Sequence, residues 1–256
     1  MDRLKEAGQS YWQIRPLGPT SYGDSPYQSF STFAGNPYFI SLEDLIQEGV
    51  LTEEECSRAD FGSRPDFVDY AKVYEERYPL LRKAYERSSI SLDPEFRKFR
   101  DENRWWLEDY ALFMEVKARF KGTAWTRWAQ DIRLRWQNAL DYYRRELYYD
   151  IEFHQYLQFK FSQQWKKLKS YANANGIRII GDIPIYVAMD SADTWAHPEL
   201  SLSWTGTIYR PQLQAALLTA FPPQDSSGEI PCTAGNTTAA QAMNGGWPGW
   251  PTAINC

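Results

Sequence analysis

The chain has 256 residues, 43% of them hydrophobic, and a formal net charge of -5 at pH 7, which suits one or two ordinary domains. This charge argues against a nucleic-acid partner, because nucleic-acid-binding proteins usually present a basic face. The sequence shows no signal peptide and no apolar run of about 18 residues, so we expect a cytoplasmic protein with no membrane partner. We expect no metal site and no cofactor, since the three cysteines and two histidines show no metal-ligand spacing.

Residues 11–17 predict a short strand that opens into a loop rich in glycine and proline. The loop, residues 18–30, reads GPTSYGDSPYQSF. Aromatic rings stack on the C–H faces of sugars, and planar polar groups bind sugar hydroxyls, so this composition favours sugar binding. A Gly/Pro loop cannot form a helical stripe, so its aromatic residues need another role than helix packing. The aromatic residues on or beside the loop are Trp12, Tyr22 and Tyr27.

Residues 41–150 predict a helical insertion. Ser41 and Thr52 begin capping boxes, and Asp93 before Pro94 is typical of a helix N-terminus. Aromatic residues recur in this segment at three- and four-residue steps, which predicts that they pack in a helical core. These residues are Phe96, Phe99, Trp106, Tyr110, Phe113, Trp125, Trp128 and Trp136.

Residues 151–200 predict one helix followed by one strand. The helix is expected from Gln155 to Asn175, because Asn175-Gly176 is a typical C-terminal cap. A buried, β-branched strand follows at residues 177–187 and should pair in parallel with residues 11–17. In a barrel of such units the chemistry lies where the strands end. That rule places Asp190, Ser191 and Asp193 on a functional rim, with Asp182 inside the strand.

The composition changes at residue 201. The chain contains 28 basic and 33 acidic residues, yet residues 201–256 include only Arg210, Asp225 and Glu229. Apolar periodicity also ends there. Without charge or periodic patterning, the sequence predicts a disordered or irregular tail.

Four segments together resemble one enzyme family: residues 18–30, residues 33–37 (FAGNP), residues 106–113 (WLEDYALF) and residues 181–195 (GDIPIYVAMDSADTW). They are similar to the 4-alpha-glucanotransferases of glycoside hydrolase family 77, also called amylomaltases, over about residues 1–200. The resemblance implies an α/β fold, an incomplete (β/α)8 TIM-type barrel with a large helical insertion. Residues 1–40 would form a partial barrel unit with the sugar-binding loop, residues 41–150 the insertion, and residues 151–200 a barrel helix and strand.

The resemblance also implies a reaction. The family transfers α-1,4-glucan segments between maltodextrins with retention, using a nucleophilic carboxylate and an acid/base carboxylate about 5 Å apart. The family's nucleophile lies in an Arg-x-Asp-His segment, and this sequence contains none. No catalytic residue is therefore assigned, and the chain is expected to be an inactive fragment whose partners are α-1,4-glucans.

Substrate-binding residues follow from the same resemblance. Ser25 and Tyr27 would lie beside the sugar at the cleavage point, and Asp24 would support their loop. Asp190 would accept a hydrogen bond from a sugar hydroxyl. Tyr22 matches a surface aromatic residue on which a second glucan segment can stack.

Residues 201–256 can be explained as an out-of-frame tail. Permitted codons for residues 224–236, read from the third base, can give GLLWGNPLYRWE, which resembles the family pattern WGNPxYxW. We therefore hypothesise that a frameshift near Leu200 replaced the family's continuation.

Two alternatives differ in class from an enzyme fragment. The chain could be a non-catalytic α-glucan-binding module with Trp12, Tyr22 and Tyr27 as its platform. It could instead be a helical interaction protein whose aromatic residues are all core. The loop at residues 18–30 argues against the second alternative, since a helical scaffold has no use for it.

Overall fold

The computed structural model describes residues 1–21, 24–64, 66–182, 184 and 187–198. These residues form ten α-helices and one two-stranded parallel sheet. The elements in chain order are α1 Asp2–Glu6, β1 Tyr11–Gln13, α2 Leu42–Gln47, α3 Glu53–Ser57, α4 Tyr70–Arg87, α5 Pro94–Glu102, α6 Arg104–Arg119, α7 Gln130–Arg133, α8 Gln137–Glu146, α9 Tyr148–Ala174, β2 Arg178–Ile180 and α10 Ala192–Ala196. Short 3-10 turns occur at Pro37–Phe39, Ile90–Leu92 and Trp125–Arg127.

Residues 1–196 belong to one compact unit. The predicted tail, residues 201–256, lies outside the described residues, so its irregular structure stays a prediction. None of the helices in the described part of the chain is long and apolar enough to cross a membrane.

The predicted pairing of the two strands is confirmed. Strands β1 and β2 run parallel, with Trp12 opposite Ile179. The turn between α9 and β2 also forms where the sequence predicts it: Gly176 has a φ of 78°, a left-handed conformation that glycine adopts without steric cost. Hydrogen bonds extend the ladder at both ends, from Arg178 N–H to the Ser10 carbonyl and from Ile14 N–H to the Ile180 carbonyl.

Strand β2 is shorter and more exposed than predicted. We expected a buried strand over residues 177–187, but the strand ends at Ile180, whose side chain is 46% exposed. Asp182 therefore follows the strand instead of lying inside it. Pro184 has no N–H to offer to a ladder. Among the described residues each strand has one hydrogen-bonded neighbour, so the outer edge of β2 has no strand to cover it.

Helix N-termini are well predicted by the local sequence. Thr52 forms the expected reciprocal capping box with Glu55, and Ser41 accepts from the Asp44 N–H. The Asp93 side chain caps α5. Helix α9 begins at Tyr148 instead of the predicted Gln155, and it crosses residue 150, where we had placed the end of the insertion. Tertiary packing explains the earlier start, because residues 152–154 are buried and continue the helical core.

The core has two clusters, and α9 packs against helices of both, since it contacts α4, α5, α6 and α8. One cluster centres on α2, α4, α5 and α9, and the other on α6, α8, α10 and two tryptophans. Most of the predicted core is confirmed as buried: Phe96, Phe99, Tyr110, Phe113, Trp125 and Trp128. Trp106 is half-buried at the boundary of both clusters.

The prediction that Trp136 lies in the core is wrong, because its side chain is 48% exposed. The preceding residue, Arg135, has a φ of 57°. This left-handed residue interrupts the helical repeat between α7 and α8, so the periodicity that places Trp125 and Trp128 inside does not extend to Trp136.

Two glutamines of α9 hold the segment that follows the Gly/Pro loop. The Gln158 side chain accepts from the Gly35 N–H at 2.7 Å and donates to the Gly35 carbonyl at 2.9 Å. Gln164 makes the same pair of bonds with Ser41, at 2.7 and 3.2 Å. We call these contacts the glutamine clamps. They satisfy backbone groups of an irregular segment that would otherwise be buried without partners.

We expect Gly35→Ala to weaken the fold. A Cβ at residue 35 would lie 2.1 Å from Cδ1 of the Phe161 ring, so the segment would have to move away from α9 and strain the first clamp. Overpacking of this kind costs about 1–3 kcal/mol. Urea unfolding followed by tryptophan fluorescence measures the loss.

Gly181→Ala is the matched control for that measurement. A Cβ at residue 181 has no neighbouring atom within 4 Å, so its free energy of unfolding should change by less than about 0.5 kcal/mol. Equal losses for the two variants would contradict the close approach at Gly35.

Candidate functional site

The Gly/Pro loop is closed by backbone contacts at its base. Thr20 and Ser29 form an antiparallel bridge, and Ser21 N–H donates to the Gln28 carbonyl at 2.9 Å. At the tip, the Ser25 hydroxyl oxygen accepts from the Tyr27 N–H at 3.3 Å. Asp24 has a φ of 54°, a left-handed conformation that aspartate tolerates better than most residues. Ser25 thus holds the turn that presents Tyr27.

Tyr27 projects from the loop and reaches the end of β2. Its side chain is 47% exposed, and its hydroxyl donates to Oδ2 of Asp182 at 2.8 Å. This hydrogen bond, with a smaller effect of the Asp182 charge, raises the pKa of Tyr27. The ring is therefore held at its hydroxyl and about half exposed to solvent, which suits stacking against a flat ligand.

Asp193 joins the loop to the segment that contains Asp190. Its Oδ1 accepts from the Ser31 hydroxyl at 3.0 Å, and its Oδ2 accepts from the Thr32 N–H at 2.7 Å. Beside it, Ala192 N–H donates to the Phe30 carbonyl at 2.8 Å. We predicted Asp193 as a rim residue. In the structure its carboxylate connects the segment after the Gly/Pro loop to the segment that carries Asp190. We call the Gly/Pro loop with the residues that follow it, together with the Asp190 segment, the rim.

Asp190 is held by two donors from the helical insertion. Lys117 Nζ lies 2.5 Å from Oδ2, and the Trp125 N–H donates to Oδ1 at 3.2 Å. The Asp190 side chain is 20% exposed, whereas the Lys117 side chain is 6% exposed. A carboxylate has about four acceptor positions, so Asp190 retains acceptor capacity for a hydroxyl donor.

The backbone that leads to Asp190 is fixed as well. The Met189 carbonyl accepts from Trp125 Nε1 at 2.7 Å and from the Thr194 hydroxyl at 2.6 Å. Ser191 Oγ accepts from the Thr194 N–H at 3.3 Å and begins α10. Ser191 thus has a structural role at the rim, where we had placed it for its chemistry.

Lys117 and Trp125 were not predicted as partners of Asp190. A signal was present for the lysine: it follows Phe113 by four residues, so it lies on the buried face of α6. A lysine at such a position needs a carboxylate, because an unpaired buried charge is strongly unfavourable. Nothing in the sequence indicated that the carboxylate would be Asp190.

The described contacts join the Gly/Pro loop and the residues after it to the chain that follows β2. Tyr27 meets Asp182, and residues 30–32 meet residues 192–193. Tyr22 lies outside the described residues, so its proposed stacking role stays a prediction. The sugar-contact roles of Ser25, Asp24, Tyr27 and Asp190 also remain predictions. Among the described residues, no group of three or more His, Cys, Asp or Glu could hold a metal ion.

Comparisons with known proteins converge on one family. The family model described as 4-alpha-glucanotransferase, glycoside hydrolase family 77, matches residues 1–206. The 4-alpha-glucanotransferase of Clostridium butyricum is 47% identical over 201 residues, which cover 78% of this chain and 41% of that protein. The 4-alpha-glucanotransferase of Thermus thermophilus is 48% identical over 200 residues, covering 77% of this chain and 39% of that protein.

A solved structure agrees with these sequences. The amylomaltase from Streptococcus agalactiae in complex with acarbose superposes with a TM-score of 0.73 at 42% identity, covering 78% of this chain and 41% of that one. The chain therefore spans about two fifths of the length of the relatives that it matches.

We expect Lys117→Met to destabilise the protein by about 3–5 kcal/mol, because it leaves the Asp190 carboxylate without its charged partner. Adding Asp190→Asn should recover much of that loss, since the stranded charge is then removed. The double-mutant cycle, measured by urea unfolding, isolates the pair's coupling.

Lys98→Met is the control for that cycle. Lys98 lies 3.8 Å from Glu102, and both side chains are largely exposed, so the loss should stay below about 1 kcal/mol. Additive losses for Lys117→Met and Asp190→Asn would refute the coupling.

We expect Asp182→Ala to lower the pKa of Tyr27. The hydrogen bond to Asp182 favours the neutral phenol, so its removal makes ionisation easier and shifts it to lower pH. Tyrosinate absorbance against pH measures this shift, and the difference between each protein and its Tyr27→Phe variant isolates the one residue. An unchanged Tyr27 titration would contradict the contact.

Proposed function

Since the chain belongs to the 4-alpha-glucanotransferases of glycoside hydrolase family 77, we propose that it supplies the glucan-binding rim of an enzyme acting on α-1,4-glucans. The enzyme transfers glucan segments between maltodextrins. Tyr27, Ser25 and Asp190 contact the sugar. Asp24 supports the loop that carries Ser25 and Tyr27, and Tyr22 stacks on a second glucan segment.

The observation that supports this proposal most directly is the joining of the two rim segments. The loop that presents Tyr27 and the segment that carries Asp190 are tied by both oxygens of Asp193. The Tyr27 ring and the Asp190 carboxylate thereby belong to one compact unit, residues 1–196. Such an arrangement binds a sugar ring through its C–H face and its hydroxyls at the same time.

The reaction that we propose is a retaining double displacement. It needs one carboxylate as nucleophile and a second as acid/base, about 5 Å apart. Three carboxylates described at this rim are engaged: Asp182 by the Tyr27 hydroxyl, Asp190 by Lys117, and Asp193 by Ser31 and Thr32. We assign none of them to these roles. The residues of this chain orient the glucan so that the reacting bond is placed correctly.

We further propose that the 256-residue chain binds glucans without transferring them. Its sequence contains no Arg-x-Asp-His segment, and residues that only position a substrate cannot replace a nucleophile. The alternative function is a non-catalytic α-glucan-binding module. The inclusion of the whole described rim in one compact unit, residues 1–196, favours this alternative over a helical interaction protein.

A maltotriose assay tests the proposal. The chain alone should release no glucose, whereas a chimera in which its matching segment replaces that of the Clostridium butyricum relative should release glucose together with longer maltodextrins. In the chimera, Tyr27→Ala should lower kcat/KM by roughly 5- to 150-fold, which corresponds to about 1–3 kcal/mol of lost contact. Tyr27→Phe keeps the ring and should lose less.

Tyr142→Ala is the control, because Tyr142 is also about half exposed but lies on α8. It should leave kcat/KM unchanged. Measurable glucan transfer by the unmodified chain would contradict the prediction that it is inactive. An inactive chimera, with acarbose still bound by the chain in calorimetry, would favour the binding module.

A further inference from the structure

A second polar groove lies outside the rim, on the helical insertion. It has a volume of about 450 Å³, within the range of about 300–1,000 Å³ typical of small-molecule sites. Three of its lining residues are arginines: Arg104, Arg135 and Arg144. The others are the carboxylates Asp101, Glu108 and Asp109, and the indole of Trp105. We call this site the arginine groove.

The charges of the arginine groove are balanced, with three guanidinium groups and three carboxylates. An anion placed there would meet the carboxylates, and a cation would meet the arginines. A neutral ligand with many hydroxyls avoids both costs, because each hydroxyl can donate to a carboxylate and accept from a guanidinium. Both groups are planar and can bind two adjacent hydroxyls at once.

The groove wall is already organised. Arg135 Nη2 donates to Oδ1 of Asp109 at 2.7 Å, and its guanidinium lies 4.3 Å from the centre of the Trp195 ring. Arg104 pairs with Glu108 at 2.9 Å. The Arg135–Asp109 pair, with both side chains 21% exposed, is held before a ligand arrives, which lowers the entropy cost of binding. The Arg104–Glu108 pair is exposed to solvent and contributes less to this order. Arg104 and Arg144 are more exposed, and since an arginine has five N–H donors, one ion pair leaves them donors for a ligand.

The groove adjoins both segments of the rim. The ring of Trp105 packs edge-on against Phe33, with centroids 4.7 Å apart, and Phe33 follows the Gly/Pro loop. The ring of Trp195, under Arg135, belongs to α10, two residues after Asp193. The arginine groove and both rim segments therefore belong to the same compact unit, residues 1–196.

We propose that the arginine groove is an accessory binding site for a segment of neutral α-glucan. The identity of the sugar rests on the proposed function, whereas the preference for a neutral polyhydroxyl ligand rests on the groove alone. Trp105 stacks against a glucosyl ring, and the arginines and carboxylates bind its hydroxyls.

Calorimetric titration of the full chain with maltoheptaose tests the proposal, using Tyr27→Ala as the background that removes the rim contact. Maltoheptaose binding should persist in that background. Adding Arg144→Met or Trp105→Ala should weaken it by about tenfold, the effect of losing one hydrogen-bonded charged group or stacking face. Adding Trp136→Ala should change nothing, because Trp136 is an exposed tryptophan outside the groove.

Arg144→Met protects the test against misfolding. Arg144 is half-buried and lies 4.0 Å from its nearest acidic partner, Asp141, so its loss should leave the melting temperature unchanged even if Trp105→Ala unfolds the chain. Groove variants that bind maltoheptaose as well as the Trp136→Ala control overturn the proposal. Competition by inorganic phosphate also overturns it, since the groove would then be an anion site.

The same titrations separate this proposal from the proposed function. If Tyr27→Ala has no effect on maltoheptaose binding while Arg144→Met weakens it, the rim assignment fails and the groove stands. If Tyr27→Ala alone abolishes binding, the groove proposal fails and the rim stands.

Discussion

The pairing of the Gln158 amide with both backbone groups of Gly35 is the contact on which the arrangement of the rim depends. Between the Gly/Pro loop and the 3-10 turn at Pro37–Phe39, the described chain has no strand or helix to satisfy its peptide groups. Helix α9 supplies the missing partners from a side chain, and the absence of a Cβ at Gly35 lets the Phe161 ring approach. With this segment held, residues 30–32 are in position to meet Asp193, and the loop is fixed at its carboxyl-terminal end.

The helical insertion contributes directly to the rim. Its helix α6 supplies Lys117, and the turn after it supplies Trp125, so the position of Asp190 depends on residues about 65–73 positions earlier in the chain. A buried ion pair of this kind adds little net stability, because desolvation opposes the attraction. Its effect is on geometry: the carboxylate can satisfy its partners in one orientation only. The position of the Asp190 segment is therefore set by its packing against the helical insertion and not by regular secondary structure of its own.

Short sequence patterns predicted the features of the fold that depend on residues close together in the chain. The turn at Gly176, the capping box at Thr52 and the parallel pairing of two β-rich runs all follow from short patterns, and all are confirmed. What failed was not encoded in these short patterns. Trp136 continues an aromatic repeat, yet the left-handed Arg135 turns it outward. The rim role of the residues that we predicted after β2 stays a prediction. Asp190 pairs with Lys117, and Asp193 with Ser31 and Thr32, and no short pattern reports those contacts.

The two glutamine clamps together constrain chain length. Gly35 and Ser41 are paired with Gln158 and Gln164 at the same sequence separation, so six residues of irregular chain run alongside six residues of helix. Six helical residues advance only about 9 Å, and six extended residues would cover about 20 Å. The 3-10 turn at Pro37–Phe39, with a rise of about 2 Å per residue, takes up part of that difference. Within this stretch, side chains can vary where they face solvent, as Phe39 does, but inserting or deleting a single residue would put one clamp out of register with the other.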